Sequence, residues 1–225
     1  MIRVGYVEVF NFEGAIRGLR NPMNSWDKSD TPICILEDNT PYVGENDLEL
    51  MQKLYRAGAE HRKYLRQIFV SMDVTAPLYW WKEFDTYKIG TVANSCSTMH
   101  TIHKKEFELN DFSWEQLLNV GCDLFEFRWG KDCSTKVQPQ HFLIEYIIPV
   151  LNICREKYLE TKDKKYWWQI IQLLPSSYNQ KRTITMNYEN VVNIIHQRSG
   201  HKLDEWNAFV KYLEHLPYIK EITGE

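Results

Sequence analysis

The chain has 225 residues, 44% of them hydrophobic and 25% charged, with a formal net charge of −3. This is the make-up of a globular chain that buries a sizeable core, and it excludes a strongly basic coat for a nucleic acid polymer. No apolar run reaches the roughly 18 residues of a membrane span, the opening "MIRVGYVEVFNFEG" shows no signal-peptide pattern, and five cysteines without a Cys-x-x-Cys pair favour a reducing, cytoplasmic setting over a disulfide framework or zinc site.

In chain order, "IRVGYVEVF" (2–10) is rich in β-branched and aromatic residues and predicts a strand. The polar, turn-rich stretch 21–32 predicts a loop. Residues 45–61 carry Leu48, Met51, Leu54 and Tyr55 at helical spacing, with acidic residues in the first turn, and predict a helix. Residues 66–76 predict a strand, and Pro77 then opens a helix through "LYWWKEFDTYK" (78–88). The segment 101–136 carries little pattern apart from a short helix expected at 113–119, capped by Ser113. A long helix over 140–160 must bend or break at Pro149, and "KKYWWQIIQLL" predicts another, ending at Pro175. A strand over 181–187 leads to Asn187, which caps a helix with Tyr188, Val191, Val192 and Ile195 on one face. Gly200 closes that helix, and residues 203–216 predict the last one. The elements define a helix-rich α+β protein with a small central antiparallel sheet, a single domain over residues 1–225.

Motif chemistry excludes several classes. There is no Gly-x-Gly-x-x-Gly, Walker-type loop, His-Glu-x-x-His or Gly-x-Ser-x-Gly. His100 and His103 form the one close histidine pair, and without further convergent ligands it indicates no metal. Cys96 in "NSCSTMH" is either a packing residue or, if Lys88 or His100 lowers its pKa, a nucleophile. Trp80-Trp81 and Trp167-Trp168 read as core or interface residues.

Two separated segments resemble the flavin-dependent thymidylate synthase family. In the first, His61 precedes the strand, Pro77 starts the helix, Lys82-Glu83 stand at the family's Arg-Gln pair and Thr86-Tyr87-Lys88 at its Arg-His-Arg triplet. Thr91 takes its first serine. Its final serine is Cys96, or Ser97 with one residue inserted, and its Arg-Tyr end becomes Thr98-Met99 or Met99-His100. In the second, Leu174-Pro175 match a Leu-Pro, Asn187 and Asn193 match two helix asparagines, and Arg198 matches the arginine of a Leu-Arg pair. Ile171 and Glu189 replace two family arginines.

The resemblance implies a homotetramer that methylates deoxyuridylate, using FAD, with methylenetetrahydrofolate and NADPH as co-substrates and no membrane or nucleic acid polymer as partner. It places His61, Thr86, Tyr87, Lys88, Asn187 and Asn193 at the flavin. Glu83, Asn94, Cys96, Ser97 and Arg198 fall at the nucleotide, with Arg198 acting on the pyrimidine ring as the catalytic residue. Lys82, Lys88, Lys181 and Arg182 are candidates to offset the lost arginines, while Glu83 and Glu189 oppose a phosphate. The alternative is a diverged homologue without FAD or catalysis that binds a nucleotide or serves as an oligomeric scaffold.

Overall fold

A computed structural model of the chain describes residues 1–32, 41–118, 125–128 and 134–224. In chain order the elements are β1 (Arg3–Phe10), α1 (Phe12–Arg20), α2 (Glu45–Arg56), β2 (Phe69–Pro77), α3 (Leu78–Phe84), β3 (Thr91–Ser95) and α4 (Thr98–Thr101). There follow β4 (Phe125–Arg128), β5 (Ser134–Val137), α5 (Pro139–Phe142), a π-helical turn Leu143–Ile147, α6 (Ile148–Thr161) and α7 (Lys164–Leu173). The chain ends with β6 (Asn179–Asn187), α8 (Tyr188–Arg198), α9 (Asp204–Leu213) and α10 (Ile219–Thr223). A four-stranded antiparallel sheet has the order β1-β2-β6-β3, and β4 pairs with β5 antiparallel, Phe125 opposite Val137. The α+β class expected from the sequence is the class found.

The chain forms two compact units that interleave along the sequence. One comprises Met1, 75–83 and 95–181; the other comprises 2–74, 84–94 and 182–225.

The second unit holds most of the sheet. Along β2 alternate residues Val70, Met72, Val74 and Ala76 are buried, the period-2 pattern of a half-covered sheet. Helix α1, which the sequence pattern did not reveal, buries Phe12, Ala15, Ile16 and Leu19 on one stripe; Gly14 and Gly18, poor helix formers, mask it. Between α1 and α2 lies a buried ion pair. Arg20 Nε–H donates to Asp47 Oδ1 at 2.5 Å, and both side chains are almost wholly inaccessible. The other Asp47 oxygen accepts from Ser29 Oγ (2.8 Å), Thr31 Oγ1 (2.6 Å) and the backbone N–H groups of Asp30 and Thr31. Asp30 in turn accepts from the N–H groups of Asn46 and Asp47, capping α2 from a distant loop. Gly44 is required there, because a Cβ would stand 2.6 Å from the Asp30 carbonyl carbon. The expected helix over 45–61 thus begins where its acidic turn predicted and stops at Arg56.

The first unit packs Ile102, Phe107, Phe112, Leu143, Leu151 and Ile170 together. Phe107, Phe112 and Tyr178 form a three-ring cluster with centroids 5.8–6.3 Å apart. Trp80 and Trp81 are fully buried, edge to face, as the core reading had it, whereas Trp168 is exposed. The helix expected at 113–119 does not form over 113–118: Phe112 bridges to Tyr178, and the Ser113 N–H donates to the Ser177 carbonyl at 2.8 Å. That backbone donor is spent on extended pairing, so Ser113 caps nothing; residue 119 lies outside the described residues. The bend predicted at Pro149 is a π-turn. Ile148 N–H reaches back five residues to the Leu143 carbonyl, a wide turn that accommodates a proline with no N–H and a ring that would strike the Glu145 carbonyl. No helix among the described residues is long and apolar enough to cross a membrane.

Asp47→Asn should leave Arg20 charged, buried and half-satisfied, and lower the unfolding free energy by about 3–5 kcal/mol in urea melts. Burial raises the Asp47 pKa, but hydrogen bonds from Thr31, Ser29 and Arg20 override it and hold the carboxyl below its ordinary 3.8. A depressed folded-state pKa stabilises the fold above the unfolded value, so this contribution should be intact above about pH 4 and lost as pH falls further. Urea midpoints measured from neutral pH to below pH 4 check it.

Candidate functional site

In the second unit, β6 runs into α8 through Asn187, whose Oδ1 accepts from the Asn190 N–H at 3.0 Å. The predicted cap is therefore present, and Asn187 is buried. Helix α3 ends at Phe84, four residues earlier than expected, and the chain turns (Tyr87 N–H to the Phe84 carbonyl, 3.0 Å) into a loop that crosses the start of α8. Asn190 Nδ2 donates to the Ile89 carbonyl (2.5 Å) and to Thr91 Oγ1 (2.9 Å), and the Asn187 N–H reaches the Gly90 carbonyl (3.3 Å). Gly90 has φ +71° and a Cβ there would lie 2.4 Å from Asn187 Nδ2, so only glycine lets the loop lie this close. Beyond the loop comes β3, a strand that the sequence pattern did not reveal, and it forms an exposed edge of the sheet.

The same loop carries Tyr87 to the far end of α8. Arg198 Nε–H donates to the Tyr87 hydroxyl at 3.0 Å, and that hydroxyl donates to Gln197 Oε1 at 3.1 Å. The Arg198 guanidinium carbon stands 4.6 Å from the Trp206 ring centroid and 5.6 Å from that of Tyr87. Trp206 is itself buried against Phe84 and Phe209. A planar cation set against the Trp206 ring and hydrogen-bonded to the Tyr87 hydroxyl is held in one orientation. His201 Nδ1 accepts from the Leu203 N–H at 3.1 Å. Nε2 lies 3.3 Å from Arg198 Nη1, whose N–H groups can only donate.

Of the predicted site residues, Tyr87, Asn187 and Arg198 are therefore tied to α8 or its flanking loop. Asn193 is half-buried on α8, one turn beyond Asn190. Thr86 and Lys88 are exposed on the loop and Asn94 on β3. His61 is exposed in the turn after α2, its N–H bonded to the Gly58 carbonyl, and no described contact joins it to the others. Glu83, Cys96 and Ser97 belong to the first unit. There Ser97 Oγ caps α4 by accepting from the His100 N–H, and Cys96 exposes a free thiol while Gln180 Nε2 donates to its carbonyl at 2.7 Å. Cys34, Cys122 and Cys133 lie outside the described residues. Among the described residues no His, Cys, Asp or Glu cluster could hold a metal ion.

Sequence reasoning missed Asn190, His201, Trp206 and Arg66. The amide row Asn187, Asn190, Asn193, Gln197 has helical spacing and signals a polar face. Arg66 has no local signal. It reaches the first turn of α8, where Nε and Nη2 bind Glu189 in a two-point ion pair of 2.5 and 3.1 Å. Arg182, expected to supply charge, pairs with Asp85 at 2.6 Å.

The helix-rich architecture with this sheet is the fold of the flavin-dependent thymidylate synthases. It superposes on a thymidylate synthase X from Helicobacter pylori, solved with FAD and dUMP, with a TM-score of 0.66 at 18% identity, over 100% of this chain and 98% of that one. A second structure of the Helicobacter pylori enzyme with FAD and dUMP gives 0.62 at 18% identity and 97% coverage of both chains. A UMP/dUMP methylase, PolB from Streptomyces cacaoi, bound to 5-Br dUMP, gives 0.57 at 15% identity, over 95% of this chain and 88% of that one. No protein-family model and no curated protein matches the sequence.

Gly90→Ala should force the loop away from Asn187. The left-handed backbone alone costs at least about 1 kcal/mol for a residue with a Cβ. A lowered melting temperature together with quenching changes in the Trp206 environment is the expected outcome, read by thermal denaturation and tryptophan fluorescence.

Proposed function

We propose that the chain binds a pyrimidine deoxynucleotide at Arg198 and acts as a flavin-dependent thymidylate synthase-like enzyme, methylating deoxyuridylate. The observation that carries this reading is the fixed guanidinium of Arg198, wedged on Trp206 and Tyr87 with His201 Nε2 beside Nη1, in a chain whose whole length follows the fold of enzymes solved with FAD and dUMP. The planar guanidinium, a donor at every nitrogen, suits a pyrimidine carbonyl oxygen. A cation there favours the ring's deprotonated or enolate-like form, the electron-rich form from which C5 can attack a methylene carbon.

The donor set also fits a flavin. Asn193 on the polar face of α8, with Thr86 and Lys88 on the loop, offers amide, hydroxyl and ammonium groups for the ring and the phosphates, and His61 and Asn187 complete the proposed set. The flavin supplies redox chemistry and methylene carriage, with methylenetetrahydrofolate and NADPH as co-substrates, while this chain's residues bind, orient and stabilise charge. Glu83, Asn94, Cys96 and Ser97 are proposed on the nucleotide side. We read the chain as one catalytic module in a cytoplasmic homotetramer.

A second reading rests on Glu189. Its carboxylate occupies the first turn of α8, where a helix end favours an anion, and it is already matched to Arg66. A scaffold or nucleotide-binding homologue without FAD would keep such an internal pair.

The visible spectrum of the purified chain with added FAD separates the two. The catalytic reading expects a retained flavin band, and thermal stabilisation by deoxyuridylate that Arg198→Ala abolishes. Because Arg198 also packs on Trp206, the exposed Lys88→Glu serves as a second variant and should weaken flavin or nucleotide binding about tenfold or more. No band under any condition supports the scaffold. Glu189→Gln should release Arg66 and tighten binding of the nucleotide several-fold, measured by titration calorimetry.

A further inference from the structure

Helix α6 carries a basic face that the proposed chemistry does not use. Arg155, Tyr158 and Lys162 are spaced three and four residues apart and project from one side of the helix and its C-cap. His103, in the turn after α4, meets Tyr158 edge to face with centroids 4.9 Å apart. The Lys162 ammonium stands 5.9 Å from the centroid of the same ring. Lys104 follows His103 directly. Among the described residues, none of Lys104, Arg155 and Lys162 makes an ion pair, although acidic residues are abundant in this unit.

Two polar atoms of the cluster are also buried without a hydrogen-bond partner: Arg155 Nε and His103 Nδ1. A guanidinium nitrogen always bears its proton, so Arg155 Nε–H is a donor that faces no acceptor. Burial first, then the positive charges of Lys162, Lys104 and Arg155, hold the His103 ring below the ordinary imidazole range, so it is neutral near pH 7. The face gathers cationic donors.

We propose that His103, Lys104, Arg155 and Lys162, around Tyr158, form a binding site for a phosphate-class dianion. The ligand's oxygens accept from the Arg155 guanidinium and Lys162 Nζ, and from His103 once it takes up a proton. Lys104 adds charge from the turn. A doubly charged oxyanion reverses the field at the imidazole, so binding draws a proton onto His103 and raises its pKa. By the same linkage, affinity for a ligand that stays dianionic rises as pH falls towards that of the protonated ring. The site stands on first-unit residues alone and does not depend on the function proposed for Arg198.

The test is a titration of the full chain with inorganic phosphate, at ionic strength kept constant with chloride, following the His103 ring signals by NMR. Sulfate, dianionic throughout, gives the pH dependence. The expected result is a saturable shift of His103, an upward move of its pKa with ligand, and affinity at least tenfold weaker in Arg155→Gln. Lys162→Gln, at an exposed position, should also weaken binding and keeps the test decisive if the Arg155 variant folds poorly. Parallel titration with deoxyuridylate identifies the source of the phosphate group. Tighter binding than inorganic phosphate at His103 assigns a nucleotide, and equal affinity assigns free phosphate. A His103 signal that moves no more with phosphate than with chloride, or affinity unchanged in Lys162→Gln, overturns the proposal.

Discussion

The polar side of α8 depends on one close approach, that of Gly90 to the Asn187 side chain. The loop can touch the helix start only because position 90 lacks a Cβ and adopts a left-handed backbone. Asn187 and Asn190 then fix the loop by its carbonyls, and the fixed loop carries Tyr87 to the Arg198 guanidinium. Helix capping, loop geometry and the orientation of the candidate catalytic cation are thus one mechanical problem. Trp206 closes it from the other side, since a buried indole cannot yield without disturbing Phe84 and Phe209.

What the sequence revealed follows how local each signal is. The cap at Asn187 and the apolar face of α8 were legible because both are set within one turn of helix. So was the need for a deformation near Pro149, because a missing N–H is a property of one residue. Helix α1 was hidden by two glycines whose low propensity is overridden by packing of Phe12, Ile16 and Leu19. The segment after Phe112 looked helical on its own, yet its donor at Ser113 pairs with Ser177, more than sixty residues away. In the site, Arg198 and Tyr87 could be named from the family resemblance, whereas Arg66 could not. It meets Glu189 only because the turn Lys63–Arg66, ahead of β2, is folded against α8, and no local pattern encodes that meeting.

The charges around α8 are rearranged more than lost. Glu189, where the resembling family has arginine, would by itself repel a phosphate. Paired with Arg66 it is neutralised, and the Arg182–Asp85 pair disposes of a second cation in the same way. Lys88 is left exposed on the loop. Two of the cations and two of the carboxylates around this helix are thus matched to one another.

The wide turn at Leu143–Ile147 has a consequence for everything downstream of it. An extra residue is stored in that turn, and in an ordinary helix each residue advances the azimuth by about 100°. Were the whole stretch wound uniformly, Arg155, Tyr158 and Lys162 would be swung about the helix axis relative to Gln140, and the imidazole at position 103 would face a different row of side chains. A proline that cannot donate a hydrogen bond therefore decides, six to thirteen residues further along, which groups meet that ring.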